Sequence, residues 1–467
     1  MSQNITRRSV DLTIAAPCQT IPIGQTTHQA DRQAPRPIAI DLFAGAGGLS
    51  LGFEQAGFDV AAAIDIDPVH CATHAFNFPH SHAICASVAD LSGAEIRRRA
   101  GIGLRDVDVV CGGAPCQGFS LMGKRALDDP RNQLVFHFVR LVSELQPRYF
   151  VFENVKGLTL GPHKRFLDEL MDALEASGYA VQRSFQVLNA AAFGVPQDRR
   201  RLFLSGARAG LNLPDYPQPS APTTVADAIA DLPDADAFDA LWHSDETQVQ
   251  FRSSNRYARR LRGLEVDPDD FSPPRAFNTG WLTSSRRTGH TALSRQRFEA
   301  TEAGKTEPVS RFRKLDLAGL CNTLRAGTDS ARGAFTSPRP IHPVFPRVIT
   351  VREAARLHSY PDWFRFHTTK WHGFRQIGNS VPPLLARAVA AELCKVLGHQ
   401  PKRPAACVEL GDVRLLQLDM SEACALFKVA RNVIAQRTRK SKATLAAAAG
   451  QTVAGLQEGL VWDTETA

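Results

Sequence analysis

No apolar run in this chain approaches the ~18 residues that a membrane-spanning helix needs, so no spanning helix is expected. Arg7 and Arg8 stand near the N-terminus, but only the short stretch Leu12 to Pro17 follows, too little for a signal peptide. Metal-ligand spacing is missing as well. The nine cysteines show no Cys-x-x-Cys pair and no Cys/His metal spacing, so no metal is expected. Their odd number and irregular spacing fit reduced thiols in a cytosol, not a disulfide framework. No internal repeat is visible. Acidic residues are in the minority, 47 against 55 Lys and Arg, and the net charge of +8 suits a polyanionic partner.

What remains is an ordinary globular composition, 43% hydrophobic and 22% charged, in 467 residues, enough for two or three domains. Residues 1–36 are polar, rich in Gln and Thr, and read as a mobile arm. From Ile38 strand and helix patterns alternate. Strand-like runs are "IAIDLF", "DVAAAIDI", "VDVVCGG", "RYFVFENV" and "RRLFLSG"; helix-like stretches include "NQLVFHFVRLVSELQ" and "HKRFLDELMDALEASG", the latter ending at Gly178. This rhythm predicts an α/β fold with a mostly parallel sheet covered by helices on both faces. It stops after about residue 208. Residues 212–345, rich in Pro, Gly and Arg, predict a smaller, loop-rich domain. Helical patterning returns at "TVREAARLHSY" and "PPLLARAVAAELCKVLG". Residues 399–467 read as an appendage, with a strand at "VRLLQLD" and a helix at "SEACALFKVARNVIAQ" capped by Ser421. Its basic "RTRKSK" predicts salt-sensitive attraction to phosphates.

Four motifs carry candidate chemistry. "DLFAGAGGLSLGF" (41–53) follows the first strand. Gly45, Gly47 and Gly48 permit a tight turn and close backbone approach to a ligand. It is not the dinucleotide fingerprint, because Ser50 takes the third glycine position. The second strand ends in Asp65-Ile66-Asp67 and the third is followed by Asp90. Acids at strand ends suit ribose hydroxyls, and with no basic cluster nearby they favour a nucleoside without a pyrophosphate; each aspartate taken alone also suits a helix cap. "GGAPCQGFS" places Cys116 after Pro115 in a loop, whereas Cys111 lies inside the preceding strand. Lys124 and Arg125 would lower the thiol pKa. "FVFENV" puts Glu153 at a strand end, where partial desolvation raises a carboxyl pKa. In "PQDRRRLF", Gln197, Arg199 and Arg201 alternate and so share one face; solvated residues of an edge strand would show the same pattern.

Together these motifs resemble the cytosine-C5 DNA methyltransferase family of the bacterial restriction–modification type. The glycine-rich "DLFAGAGG", the Pro-Cys loop, "ENV", the Gln-x-Arg-x-Arg series, "RVITVREAARL" and "IGNSVPP" occur in the family's order across residues 37–398. The resemblance implies an S-adenosylmethionine-dependent, Rossmann-like catalytic domain (37–211 and 346–398) and a target-recognition domain (212–345). It implies Cys116 as the nucleophile, Glu153 on cytosine N3 and the exocyclic amine, and Arg201 on O2, with Arg199 supporting the site or a phosphate. Phe43 and Ile66 would flank the adenine, Asp65 would hold the ribose and Asp90 the adenine amine. Gly45, Gly47, Gly48, Asn379 and Ser380 would hold the methionine end, with Pro115 beside the methyl group; Ala44 and Leu91 complete the cofactor set. Met122, Lys124, Arg125 and Gln197 would face DNA, Met122 as a wedge. Candidate DNA-reading arginines of the insert are Arg252, Arg256, Arg259, Arg286, Arg287, Arg311, Arg313, Arg325 and Arg332. The implied partners are double-stranded DNA and a restriction endonuclease, and the implied state is a monomer in the bacterial cytoplasm, associated with the nucleoid. The chain departs from the family pattern at Asp65 (commonly Glu), at "ADL" 89–91 (commonly Gly-Asp-Ile), and at His358 and Tyr360 (commonly Gln and Phe).

Overall fold

The computed structural model describes residues 35–115, 133–161, 163–327 and 339–434. The first part of the chain forms β1 (Ile38–Leu42), α1 (Gly48–Ala56), β2 (Asp59–Asp65), α2 (Pro68–Asn77), β3 (His82–Cys85), α3 (Gly93–Arg99), β4 (Val109–Gly112), α4 (Gln133–Leu145), β5 (Tyr149–Val155) and α5 (His163–Ala176). It continues with β6 (Tyr179–Val181), β7 (Gln186–Asn189), β8 (Gln197–Asp198) and β9 (Arg200–Arg208). Strands β3-β2-β1-β4-β5 are parallel. β9 then pairs antiparallel with β5, and β6 and β7 pair antiparallel with β9. The mostly parallel sheet read from the sequence is therefore present, but "RRLFLSG" runs against it. Its apolar pattern reports burial and carries no information on direction.

The parallel strands are buried on both faces, which is why they read as unbroken apolar runs. On one face Ile40, Leu42, Phe150 and Phe152 pack with Phe138 and Leu141 of α4 and Leu167 and Leu170 of α5. On the other, Ala39, Val109 and Val151 pack with Phe53 of α1 and, from near the C-terminus, Leu385 and Val389. Those last two lie on a helix, Pro383–Val396, reached after the insert.

The insert contains short elements only: α6 (Val225–Ile229), β10 (Thr247–Gln248), α7 (Arg256–Leu261), β11 (Trp281–Leu282), α8 (Ala292–Ala300) and β12 (Cys321–Asn322). The chain then forms α9 (Val351–Leu357), α10 (Lys370–Asn379), α11 (Pro383–Val396) and α12 (Met420–Phe427). Thr350 opens α9 with a reciprocal capping box to Glu353. Much of the insert shares a core with the returning chain: Ile229, Leu241, Leu282, Leu315 and Leu324 cluster with Leu357, Tyr360, Phe364 and Ile377. Phe298, Ile341 and Val348 make a small second cluster. No described helix is long and apolar enough to cross a membrane.

The appendage differs from its sequence reading. Val413–Leu416 is a 3-10 turn, not a strand. The helix is shorter than expected and its cap is Asp419, through a capping box with Glu422, not Ser421. Residues 402–434 also dock on the catalytic part, with Leu416, Ala423 and Cys424 buried. Gly411 N–H donates to the Phe76 carbonyl and Thr368 N–H to that of Leu416. The "RTRKSK" run lies outside the described residues. Deleting residues 402–467 should thus destabilise the fold as well as remove charge. Uncovering these side chains and the end of α2 costs about 2–5 kcal/mol, read as a lower unfolding temperature. An unchanged unfolding temperature would restore the detachable tail.

Candidate active site

The parallel register brings the strand ends together. Leu42 is opposite Ile64 and Gly112, and Gly112 is opposite Phe152. Phe43, Asp65, Gly113 and Glu153 therefore stand on one rim, where the strand order reverses between β1 and β4. Ligands of open α/β sheets bind at such a reversal.

The glycine turn is built there. Phe43 has φ 64, Gly45 φ 56 and Gly47 φ 102. Left-handed backbone at a phenylalanine is strained and points to a functional constraint. Gly45 N–H donates to Asp65 Oδ2 at 2.8 Å, and Asp67 N–H to Asp65 Oδ1 at 2.8 Å. Asp65 thus fastens the turn to the end of β2. Burial raises its pKa, but the adjacent His70 and the backbone N–H groups outweigh this and hold it below its ordinary value. A side chain at Gly45 would meet nothing within 4 Å, and Ile66 beside it is 41% exposed. The result is an open, partly apolar cradle with a carboxylate at its edge. Ala44 and Leu91 are buried behind the rim. Asp90 is exposed in a 3-10 turn, Val88–Asp90, beyond β3 instead of at the strand end.

Asn379 and Ser380 reach the same turn from the far end of the chain. Gly48 packs so closely on the Val381 carbonyl, Ser380 Cβ and the Tyr360 hydroxyl that any side chain there would collide. Asn379 is exposed at the end of α10.

Glu153 and Arg201 meet on the neighbouring strands. Arg201 lies opposite Val155 in the β5–β9 ladder, two residues along from Glu153. Its Nε is 2.9 Å from Glu153 Oε1. Burial raises the Glu153 pKa, and the guanidinium groups of Arg201 and Arg199 oppose the rise without cancelling it. Gly113 leaves room for the carboxylate, since a side chain there would strike Oε2. Asn154 Nδ2 donates to the Ala114 carbonyl at 3.1 Å. That bond ties the stem of the Cys116 loop to β5, a role the motif alone did not reveal. Pro115 is exposed at the last described position of the stem. Cys116, Met122, Lys124 and Arg125 lie outside the described residues, as does Arg332.

The sequence profile of the C-5 cytosine-specific DNA methylases matches residues 38–395. The chain belongs to this family. The Type II methyltransferase M.XorII of Xanthomonas oryzae pv. oryzae is 64% identical over 404 residues, 86% of this chain and 95% of that protein. M.AgeI of Thalassovita gelatinovora is 34% identical over 421 residues, 75% of this chain and 97% of its own. A crystal structure assigned as a DNA modification methyltransferase encoded within an E. coli prophage has a TM-score of 0.66 at 36% identity, covering 78% of this chain and 100% of that one. The chain is thus a DNA cytosine-5 methyltransferase of the bacterial restriction–modification type, and its substrate is DNA.

In this methylase the Gln-x-Arg-x-Arg alternation is real, since Asp198 and Arg200 are exposed while Gln197, Arg199 and Arg201 point inward. The inward face corrects two expectations. Gln197 is 0% exposed and cannot face DNA. Its Nε2 lies 3.2 Å from the Leu357 carbonyl and 3.0 Å from His358 Nδ1, and its Oε1 accepts from Leu324 N–H at 3.1 Å. Arg199 is also 0% exposed and is not a phosphate contact. Its Nη1 donates to the Leu324 carbonyl and its Nη2 to those of Gly378 and Ser380, all at 2.8 Å. It therefore clamps the end of the insert to the Gly-Asn-Ser loop. His358 joins the same clamp, with Nε2 3.1 Å from the Ser380 carbonyl. Because that partner only accepts, the proton sits on Nε2, and Nδ1 accepts from Gln197.

Sequence reasoning also missed a buried polar chain under the glycine turn. Ser50 Oγ donates to Asp41 Oδ2 at 2.6 Å and lies 3.2 Å from His74 Nε2. Burial pushes the Asp41 carboxyl up to about 7. A carboxylate inside an otherwise apolar strand was the available signal. Among the insert arginines, Arg256 and Arg259 share Glu265, and Arg287 is held by Asp236 and Asp239. These three are committed within the insert.

Proposed function

We propose that this methylase transfers the methyl group of S-adenosylmethionine to C5 of a cytosine extruded from duplex DNA, through a covalent bond from Cys116 to C6. We further propose that it protects DNA from a partner restriction endonuclease. The observation that carries the chemistry is the Glu153–Arg201 pair, a carboxyl with a raised pKa beside a guanidinium, one strand away from the stem of the cysteine loop.

The Cys116 thiolate adds to C6, which breaks the ring's aromaticity and makes C5 nucleophilic. After methylation, solvent water or hydroxide takes the C5 proton, the freed electron pair re-forms the C5–C6 double bond as the thiolate leaves C6, and N3 returns its proton to Glu153. A raised pKa favours protonated Glu153, which donates to N3 and draws charge from the ring as the thiolate attacks. Arg201 holds Glu153 in place and reaches O2. Extrusion is needed because C6 is inaccessible inside a base stack; Met122 would fill the gap, and Lys124 and Arg125 would meet phosphates. Bound S-adenosylmethionine supplies the methyl group as a sulfonium electrophile. The cradle over Gly45 fits it: Phe43 and Ile66 would offer apolar surface to the adenine, Asp65 would accept from the ribose, and Asn379, Ser380 and Gly45–Gly48 would offer polar groups to the methionine end, with Ala44, Asp90, Leu91 and Pro115 around them.

Incubation with radiolabelled cofactor should label cytosine C5 in duplex DNA. Label found on adenine, or only on tRNA, would overturn the reading. Asp65→Ala should weaken cofactor binding by about 1–3 kcal/mol, the worth of hydrogen bonds to a charged group. Calorimetry checks this. Unchanged affinity would leave Asp65 as a fastener of the glycine turn alone.

A further inference from the structure

Three basic side chains meet where the insert crosses α10. Lys370 opens that helix, and its Nζ donates to the Arg287 carbonyl at 2.5 Å. Arg339 lies one turn along, its guanidinium 5.0 Å from the Phe374 ring centroid. Arg286, next to the committed Arg287, is near enough to act on Lys370. All three are half-buried. Burial, then Arg339 and then Arg286, push the Lys370 ammonium down to about 8, and no carboxylate opposes them. Among the described residues none of the three has an acidic partner within ion-pair distance. Arg339 Nε is buried without a hydrogen-bond partner. Asp236, which acts on the neighbouring His290, is already occupied by Arg287 Nε at 3.2 Å and Arg295 Nη2 at 2.6 Å. His290 adds no charge, because burial pushes it down to about 4 and its Nε2 accepts from Val348 N–H.

Half-buried cations that repel one another and have no counter-charge are costly to the isolated protein. An anion supplied from outside removes that cost. The substrate is a polyanion, and the group lies on the junction between the insert and the helix whose other end carries Asn379. We propose that Arg286, Arg339 and Lys370 form a seat for a phosphodiester of the DNA backbone. The seat rests on the reading of duplex DNA as substrate and goes beyond it by assigning a backbone contact remote from the target base. Ten residues at 1.5 Å each put it about 15 Å from the Asn379 end of α10, roughly four base-pair steps of 3.4 Å. Its contribution is independent of DNA sequence.

The test uses Arg339→Met and Lys370→Met, which remove charge and keep the apolar stems. Binding of a non-cognate duplex is measured against salt, with Arg105→Ala, an exposed arginine between α3 and β4, as the control for net charge. Each variant should lower the slope of log K against log salt by about 0.9 per phosphate lost, about eightfold weaker binding at 0.1 M salt. The unfolding temperature should hold or rise, because repulsion is relieved. A merely structural role predicts the opposite, a lower unfolding temperature with an unchanged slope, and would overturn the proposal. So would stabilisation of the wild type by inorganic phosphate that both variants lose without any change in the DNA slope, since that describes a site for free phosphate. If wild type itself fails to bind duplex DNA, the substrate reading fails instead.

Discussion

Cys116→Ser is expected to abolish methyl transfer and leave cofactor affinity and folding close to wild type. Serine is nearly the same size, but its alkoxide is far harder to form than a thiolate at neutral pH. Without addition at C6, C5 stays too electron-poor to take a methyl group. The expected loss is on the order of 10^4-fold or more, as for other covalent nucleophiles. The stem of the loop is independently anchored by the Asn154–Ala114 bond, so the substitution should not disturb β5. Turnover, calorimetry with the cofactor, and covalent capture on 5-fluorocytosine DNA separate the possibilities. Fluorine at C5 blocks the proton loss, so wild type should be trapped through Cys116 and the serine variant should not. Full turnover by the variant, or trapping through another residue, would remove Cys116 from the role.

Arg199→Leu should be the most damaging change outside the reacting groups. The carbonyls of Leu324 and Gly378 accept from this one guanidinium, and that of Ser380 accepts from it and from His358 Nε2. Each buried carbonyl left without a donor costs about 1–3 kcal/mol. The losses share one site and do not simply add, so about 3–5 kcal/mol is expected in all. Lysine should not rescue it, because a single ammonium lacks the fork that serves carbonyls from two segments. Since Ser380 packs on Gly48, cofactor affinity should fall together with the unfolding temperature. Arg201→Leu offers the contrast: it should lose turnover and keep most of the stability. If Arg199→Leu unfolds at the wild-type temperature, the clamp is not what holds the Gly-Asn-Ser loop.

The sequence by itself determined the strands and helices of the first half of the catalytic part and the family the chain belongs to. The runs that became β1, β2, β4 and β5 were legible because a strand buried on both faces must be apolar throughout. Glycines were legible at Gly45 and Gly47 because backbone with positive φ selects them. The motif order was sufficient to identify the family, and the alternation of Gln197, Arg199 and Arg201 told that they share a face. It did not tell which face was inside. That depended on Leu324, Gly378 and Ser380 arriving from distant parts of the chain to accept their hydrogen bonds. The same holds for the antiparallel direction of β9, for the docking of residues 402–434 on α2, and for the uncompensated meeting of Arg286, Arg339 and Lys370. Periodicity reports which side chains avoid water within a few residues. Direction, partner and the sign of a local charge balance are set by contacts between segments far apart in sequence, and only the tertiary structure decides them.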